Sequence, residues 1–204
     1  MHPPAHDVAA PSLLEALRAG TALLHVALEK RLPFFSPQLD ADGYRRLFEA
    51  YYGFYHPLES RLYDCALIPV GFNQALRVKT HTLHSDLIAL GLTSQAIAAL
   101  PLCPRLPRLD TPAACLGVLY VLEGATLGGQ VLRREMARRL ALDASNGGAF
   151  LDIYGTETGR RWKDFLDYLG HVPLDDLGRQ QAEDAACSTF SCFEQWLDSQ
   201  EVLL

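Results

Sequence analysis

The sequence predicts an all-α protein built as one domain, and three observations carry that prediction. Apolar residues recur at helical spacing through most of its 204 residues. Capping residues, prolines and glycines punctuate those stretches where helices begin and end. No segment shows the strict apolar and polar alternation of a half-buried strand, and no fixed-period repeat appears.

The elements follow in order. Ser12-Leu13-Leu14-Glu15 is a capping box, and Leu14, Leu17, Thr21, Leu24 and Leu28 then form one stripe until Pro33 stops the first helix. A second, aromatic-rich helix is predicted from near Asp42 to about Cys65, with a kink at Pro57. A third begins near Asn73 and stops at Gly91. Thr111 caps and Pro112 opens a long helix reaching about Leu140. Ser145 to Gly148 reads as a loop, "RRWKDFLDYL" as a helix to Gly170, and the last helix runs from about Pro173 to the C-terminus. Residues 1–11 read as a flexible leader and residues 12–204 as the folded domain.

Composition narrows the function. With 49% hydrophobic residues, a chain of 204 residues buries one sizeable core. The net charge of -6 argues against sequence-independent nucleic-acid binding, which depends on clustered Lys and Arg. Five scattered cysteines without a CxxC pair fit a reducing cytoplasm better than a disulfide framework. The start MHPPAHDVAAPS lacks the basic and apolar regions of a signal peptide, and no apolar run approaches the roughly 20 residues that span a bilayer, so no membrane is expected.

Candidate chemistry lies on two helices. His25 falls within the apolar stripe of the first, with Glu29 one turn on, a spacing that lets the carboxylate orient the imidazole and leave one ring nitrogen for a metal. A core or rim histidine is the alternative. Arg18 precedes His25 by seven residues, hence about 10 Å along the axis, the distance scale between a porphyrin iron and its propionates. As a solvated surface arginine it would mean nothing. The long helix carries Gly124, Gly128 and Gly129 although glycine in a helix costs about 1 kcal/mol relative to alanine. Gly124 and Gly128 stack on one face and leave a strip free of side chains, suited to a partner helix or to a flat ligand, and Gly129 favours bending.

The stretches "LRAGTALLHVALE", "GYRRLFEAYYGFYHPLESRL", "YVLEGATLGGQVL" and "YGTETGRRWKDFLDYL" together resemble the haem oxygenases, particularly the bacterial branch that includes partners of bacteriophytochromes. The resemblance implies a helical bundle with haem between a proximal and a distal helix. It implies that His25 ligates the iron with Glu29 behind it, that the backbone at Gly124, Gly128 and Gly129 lies over the haem, and that Arg18, Tyr120 and Lys163 meet its propionates. Tyr55 matches a tyrosine of the distal water network. It further implies cleavage of haem with O2 to biliverdin, carbon monoxide and ferrous iron, with electrons from an external ferredoxin- or flavodoxin-type donor. A bacteriophytochrome is an implied recipient of the biliverdin. Mammalian members carry an aspartate after the first distal glycine, where this chain has Ala125. A haem carrier or sensor without turnover is the alternative function, although no His, Met or Cys lies between Gly124 and Gly129 to act as a sixth ligand.

Other motifs carry less. His81 and His84 lack the paired Glu-x-x-His motifs of a di-iron centre, and His56 and Glu59 stand in reversed order. Cys103-Pro104 is a single haem-regulatory-like dipeptide in a proline-rich loop. Arg133, Arg134, Arg138 and Arg139 form either a docking face for an acidic electron donor or a solvated helix end.

Overall fold

The computed structural model describes residues 12–65, 67 and 73–204, so the predicted leader lies outside the described residues. Seven α-helices are described: α1 Leu13–Arg31, α2 Ala41–Tyr63, α3 Thr80–Ala89, α4 Ser94–Ala98, α5 Pro112–Leu140, α6 Thr158–His171 and α7 Asp176–Ser199. No strand occurs among the described residues.

Local chemistry sets most helix ends. Ser12 and Glu15 close their capping box on α1, and Asp40, Thr111 and Asp175 each accept a backbone N–H in the first turn of α2, α5 and α7. Gly91 ends the α3 segment with φ +98°, a left-handed conformation that glycine adopts at no steric cost. Pro57 sits inside α2, which runs through it. Proline has no N–H for the Gly53 carbonyl four residues earlier, and that oxygen accepts instead from the Cys103 N–H at 2.8 Å. Gly53 permits the approach, since a Cβ there would lie 2.5 Å from the Pro101 carbonyl oxygen.

Several sequence expectations need correction. The third helix starts at Thr80, and Gln74–Arg77 forms a separate 3-10 turn. The short helix α4 forms between Gly91 and Thr111, where the sequence predicts no element. The last helix ends at Ser199, after which Leu204 turns back to donate its N–H to the Arg31 carbonyl at 2.8 Å.

Helix α7 is the floor of the bundle, packing along α5 and α1. At the α5 crossing a Cβ on Gly117 would come within 2.0 Å of the Ala182 carbonyl oxygen, so the two backbones touch where the side chain is missing. Resting on the same floor, α1 and α5 leave a space between them. Helix α5 is also apolar and long enough to cross a membrane by length and composition, which corrects the expectation that no run approaches that length. Half of its apolar window is buried inside the bundle, where it serves as the central core helix.

Candidate functional site

The space between α1 and α5 is a cavity of about 490 Å³, within the range of small-molecule and cofactor sites. His25 and Arg18 face it from α1, Tyr120 and the Gly124 to Gly129 stretch from α5, and Phe190 and Phe193 from the α7 floor. Tyr55 of α2 and Phe150 close the inner end.

His25 stands on the cavity side of α1, beside the buried stripe of Leu17, Thr21 and Leu28, and its side chain is 55% exposed. Its Nδ1 lies 3.4 Å from Glu29 Oε2, an electrostatic contact longer than an ordinary hydrogen bond. Nε2 is the remaining ring nitrogen. Phe190 holds the ring from below in an edge-on contact, with centroids 5.9 Å apart.

The glycines of α5 divide between two tasks. A Cβ on Gly128 would meet nothing within 4 Å, and one on Gly124 would make only ordinary contact with Trp162 at 3.6 Å. These two form an open strip on the cavity wall. Gly129 is buried, and a Cβ there would lie 2.6 Å from the Leu151 carbonyl oxygen. It therefore lets the segment Phe150–Asp152 pack against α5, and the expected bend does not interrupt the helix.

Tyr120 is half-buried, its ring 5.8 Å from that of Trp162. Burial raises the pKa of its hydroxyl, and Thr21 and Arg18 act against that rise. Tyr55 is buried in a cluster with Tyr51, Phe54, Phe150 and Phe193. Burial pushes its pKa well up, and Tyr51, Glu59, Glu123 and Tyr154 push the same way. Lys163 does not line the cavity. It is exposed because Trp162 is the residue of α6 turned inward, and the next position on a helix lies about 100° away.

Behind the glycine strip lies a polar network that sequence reasoning missed. Glu123, buried on α5, accepts from Lys79 Nζ at 2.6 Å and from the Tyr154 hydroxyl at 3.0 Å, and pairs with Arg77. Glu59 of α2 accepts the N–H groups of Lys79 at 2.9 Å and Thr80 at 2.9 Å, and the Thr80 hydroxyl at 2.6 Å. A carboxylate of α2 thus caps α3, which explains its start at Thr80. The available signal was Glu123 itself, a lone charge in the apolar run "VLYVLEGATL" that needs a partner if buried.

The remaining sequence candidates separate. His56, His81 and His84 line a second cleft between α2 and α3, and no cluster suited to a metal occurs among the described residues. Arg139 is spent on the carbonyls of Phe34, Ser36 and Leu39, and Arg133 on Asp152 at 3.1 Å. Arg134 and Arg138 stay exposed, Arg138 paired with Glu135.

Helices α1 and α5 thus bring a histidine and an open glycine strip to one largely apolar cavity. The chain belongs to the haem oxygenase family: residues 11–199 match the family model described as Heme oxygenase. A heme oxygenase of Xanthomonas campestris pv. campestris is 33% identical over 101 residues, half of this chain and 57% of that relative's length. In structure the chain is similar to the heme oxygenase of Leptospira interrogans, with TM-score 0.78, 21% identity, and coverage of 93% of this chain and 100% of that one. It is also similar to heme oxygenase-2 of Synechocystis sp. PCC 6803, solved with heme and NO, with TM-score 0.75, 20% identity, and coverage of 94% and 86%.

Proposed function

We propose that the protein binds haem between α1 and α5 and oxygenates it to biliverdin, carbon monoxide and ferrous iron. The observation that carries this reading is the opposition of His25 and the open Gly124 and Gly128 strip across one cavity. The residues fit the group: the walls are largely apolar and aromatic, one imidazole faces inward, and the missing side chain at Gly128 leaves room that a Cβ would take. When bound, haem supplies the O2 chemistry and is itself the substrate, with electrons from an external donor.

The protein's own residues then bind, orient and exclude. His25 Nε2 holds the iron, and Glu29 beside Nδ1 fixes the ring orientation. Gly124 and Gly128 allow the α5 backbone to approach the opposite haem face. Arg18 and Tyr120, both on the cavity wall, serve the propionates, and the buried Tyr55 closes the inner end. Arg134 and Arg138, the latter paired with Glu135, are the exposed part of the basic cluster that an acidic ferredoxin- or flavodoxin-type donor would meet. A reducing cytoplasm suits the five cysteines, all free thiols. A carrier role is disfavoured because the lining contains no second His and no Met or Cys among the described residues.

The test is spectroscopic. Haemin added to the protein should give the absorption of an imidazole-ligated haem, and reductant with oxygen should replace its Soret band by a biliverdin band. His25→Ala should fold, lose that spectrum and fall to background turnover, and free imidazole should restore part of both. A His25→Ala protein with the parent spectrum and turnover removes this assignment of the two helices.

A further inference from the structure

Lys79 is a buried ammonium group on the cavity wall with more donors than its neighbours use. Its side chain is only 2% exposed, and it lines the same cavity as Tyr55, Gly124 and Ala125. An ammonium has three N–H donors, and two are occupied, by Glu123 Oε1 at 2.6 Å and the Arg77 carbonyl at 2.9 Å. The Tyr154 ring, 5.6 Å away, offers only a cation–π contact. No acceptor among the described residues takes the third donor, and Lys79 lines the cavity.

The charge balance points the same way. Among the described residues, Glu123 and Glu59 supply two carboxylates to this region, while Lys79, Arg77 and Arg161 supply three cations. Arg77 already pairs with Glu123 without Lys79. Burying a second cation on one carboxylate is costly if its only purpose is neutralisation. Tyr154 and Tyr55 are the neutral titratable groups beside the network, and both hold their protons tightly because they are buried.

We propose that Lys79 is the hydrogen-bond donor that orders water on the glycine side of the haem cavity. Glu123 and Tyr154 are positioning residues that aim it. The proposal rests on the haem oxygenase reading.

Parent, Lys79→Met and Lys79→Gln proteins are loaded with haemin. Three quantities are measured: haem affinity, the pH midpoint of the acid-to-alkaline change in the ferric haem spectrum, and the solvent deuterium isotope effect on biliverdin formation. Affinity should stay within about threefold of the parent, since Lys79 holds water rather than the haem edge. The spectral midpoint should rise by about half a pH unit or more, because a nearby cation favours loss of a proton from water in the cavity. Biliverdin formation should slow by about tenfold or more, with a larger isotope effect, as expected when a proton-transfer group is lost. Lys79→Gln still donates to Glu123 and decides the matter if the Met variant does not fold. Folded variants with the parent midpoint and isotope effect overturn the proposal and leave Lys79 a structural tie. A parent protein that binds no haem overturns the functional reading, and this proposal with it.

Discussion

Gly128 and Gly129 are sequence neighbours with opposite structural tasks, and alanine at each separates them. Alanine gains about 1 kcal/mol over glycine inside a helix. At Gly128 nothing opposes that gain, since the new Cβ meets no atom within 4 Å. The haem-free Gly128→Ala protein should therefore be about 1 kcal/mol more stable, or about 2 to 4 °C higher in melting temperature for a domain of this size. At Gly129 the Cβ lies 2.6 Å from the Leu151 carbonyl oxygen, against 3.4 Å for ordinary contact, so one backbone must retreat by 0.8 Å. The Leu151 segment resists. Asp86 holds the preceding N–H groups of Ala149 at 3.0 Å and Phe150 at 2.7 Å. Overpacking of this kind costs about 1 to 3 kcal/mol, which cancels or outweighs the helix gain. The two alanine variants should thus differ by about 1 to 3 kcal/mol, Gly128→Ala the more stable, as measured by thermal melting followed by far-ultraviolet circular dichroism. Gly128→Leu completes the test, keeping a folded protein while its side chain fills the cavity and lowers haem affinity. Equal melting temperatures for the alanine variants, or parent haem affinity in Gly128→Leu, would refute the division of tasks.

Other outcomes follow from the same geometry. Arg18→Ala and Tyr120→Phe each remove a donor from the cavity wall, so haem affinity should fall by about 1 kcal/mol each, or the biliverdin isomer mixture should change. Parent affinity and isomer mixture in both variants would leave them surface and packing residues. Burial raises the pKa of most of the eight tyrosines, and furthest for Tyr44, Tyr51, Tyr55 and Tyr154. A pKa higher in the folded than in the unfolded chain contributes stability that is whole below the unfolded value, near 10, and is lost as pH rises above it. An ultraviolet titration should find these four ionising only together with loss of helix. Reversible ionisation of all eight near their ordinary pKa, with helix content intact, would contradict the packed aromatic cluster.

How much was legible in the sequence depended on the range of the interactions. The starts of α1 and α5 were readable because Ser12, Glu15, Thr111 and Pro112 act within four residues of themselves. His25 and Gly128 were readable as candidates because helical periodicity assigns each to a face. The start of α3 was not, because the carboxylate that caps it, Glu59, stands 20 residues away on α2. Helix α4, five residues long, is too short to display a period. Lys163 matched a motif, yet the orientation of α6 turned Trp162 inward instead.

The sequence alone determined the helical class, the main helix ends and the helix faces that carry His25 and the glycines, since caps and periodicity are local properties of the chain, while the pairing of those two helices was implied only by the family resemblance. Tertiary structure decided which glycine opens the cavity and which admits Leu151, where Gly53 sends the carbonyl that Pro57 leaves unpaired, and how Glu123 gathers Lys79, Arg77 and Tyr154. Those outcomes arise from contacts between residues far apart in the chain. Whether a missing Cβ leaves open space or admits a neighbouring backbone is set by the helix or loop packed against it, and the glycine itself is the same in both cases.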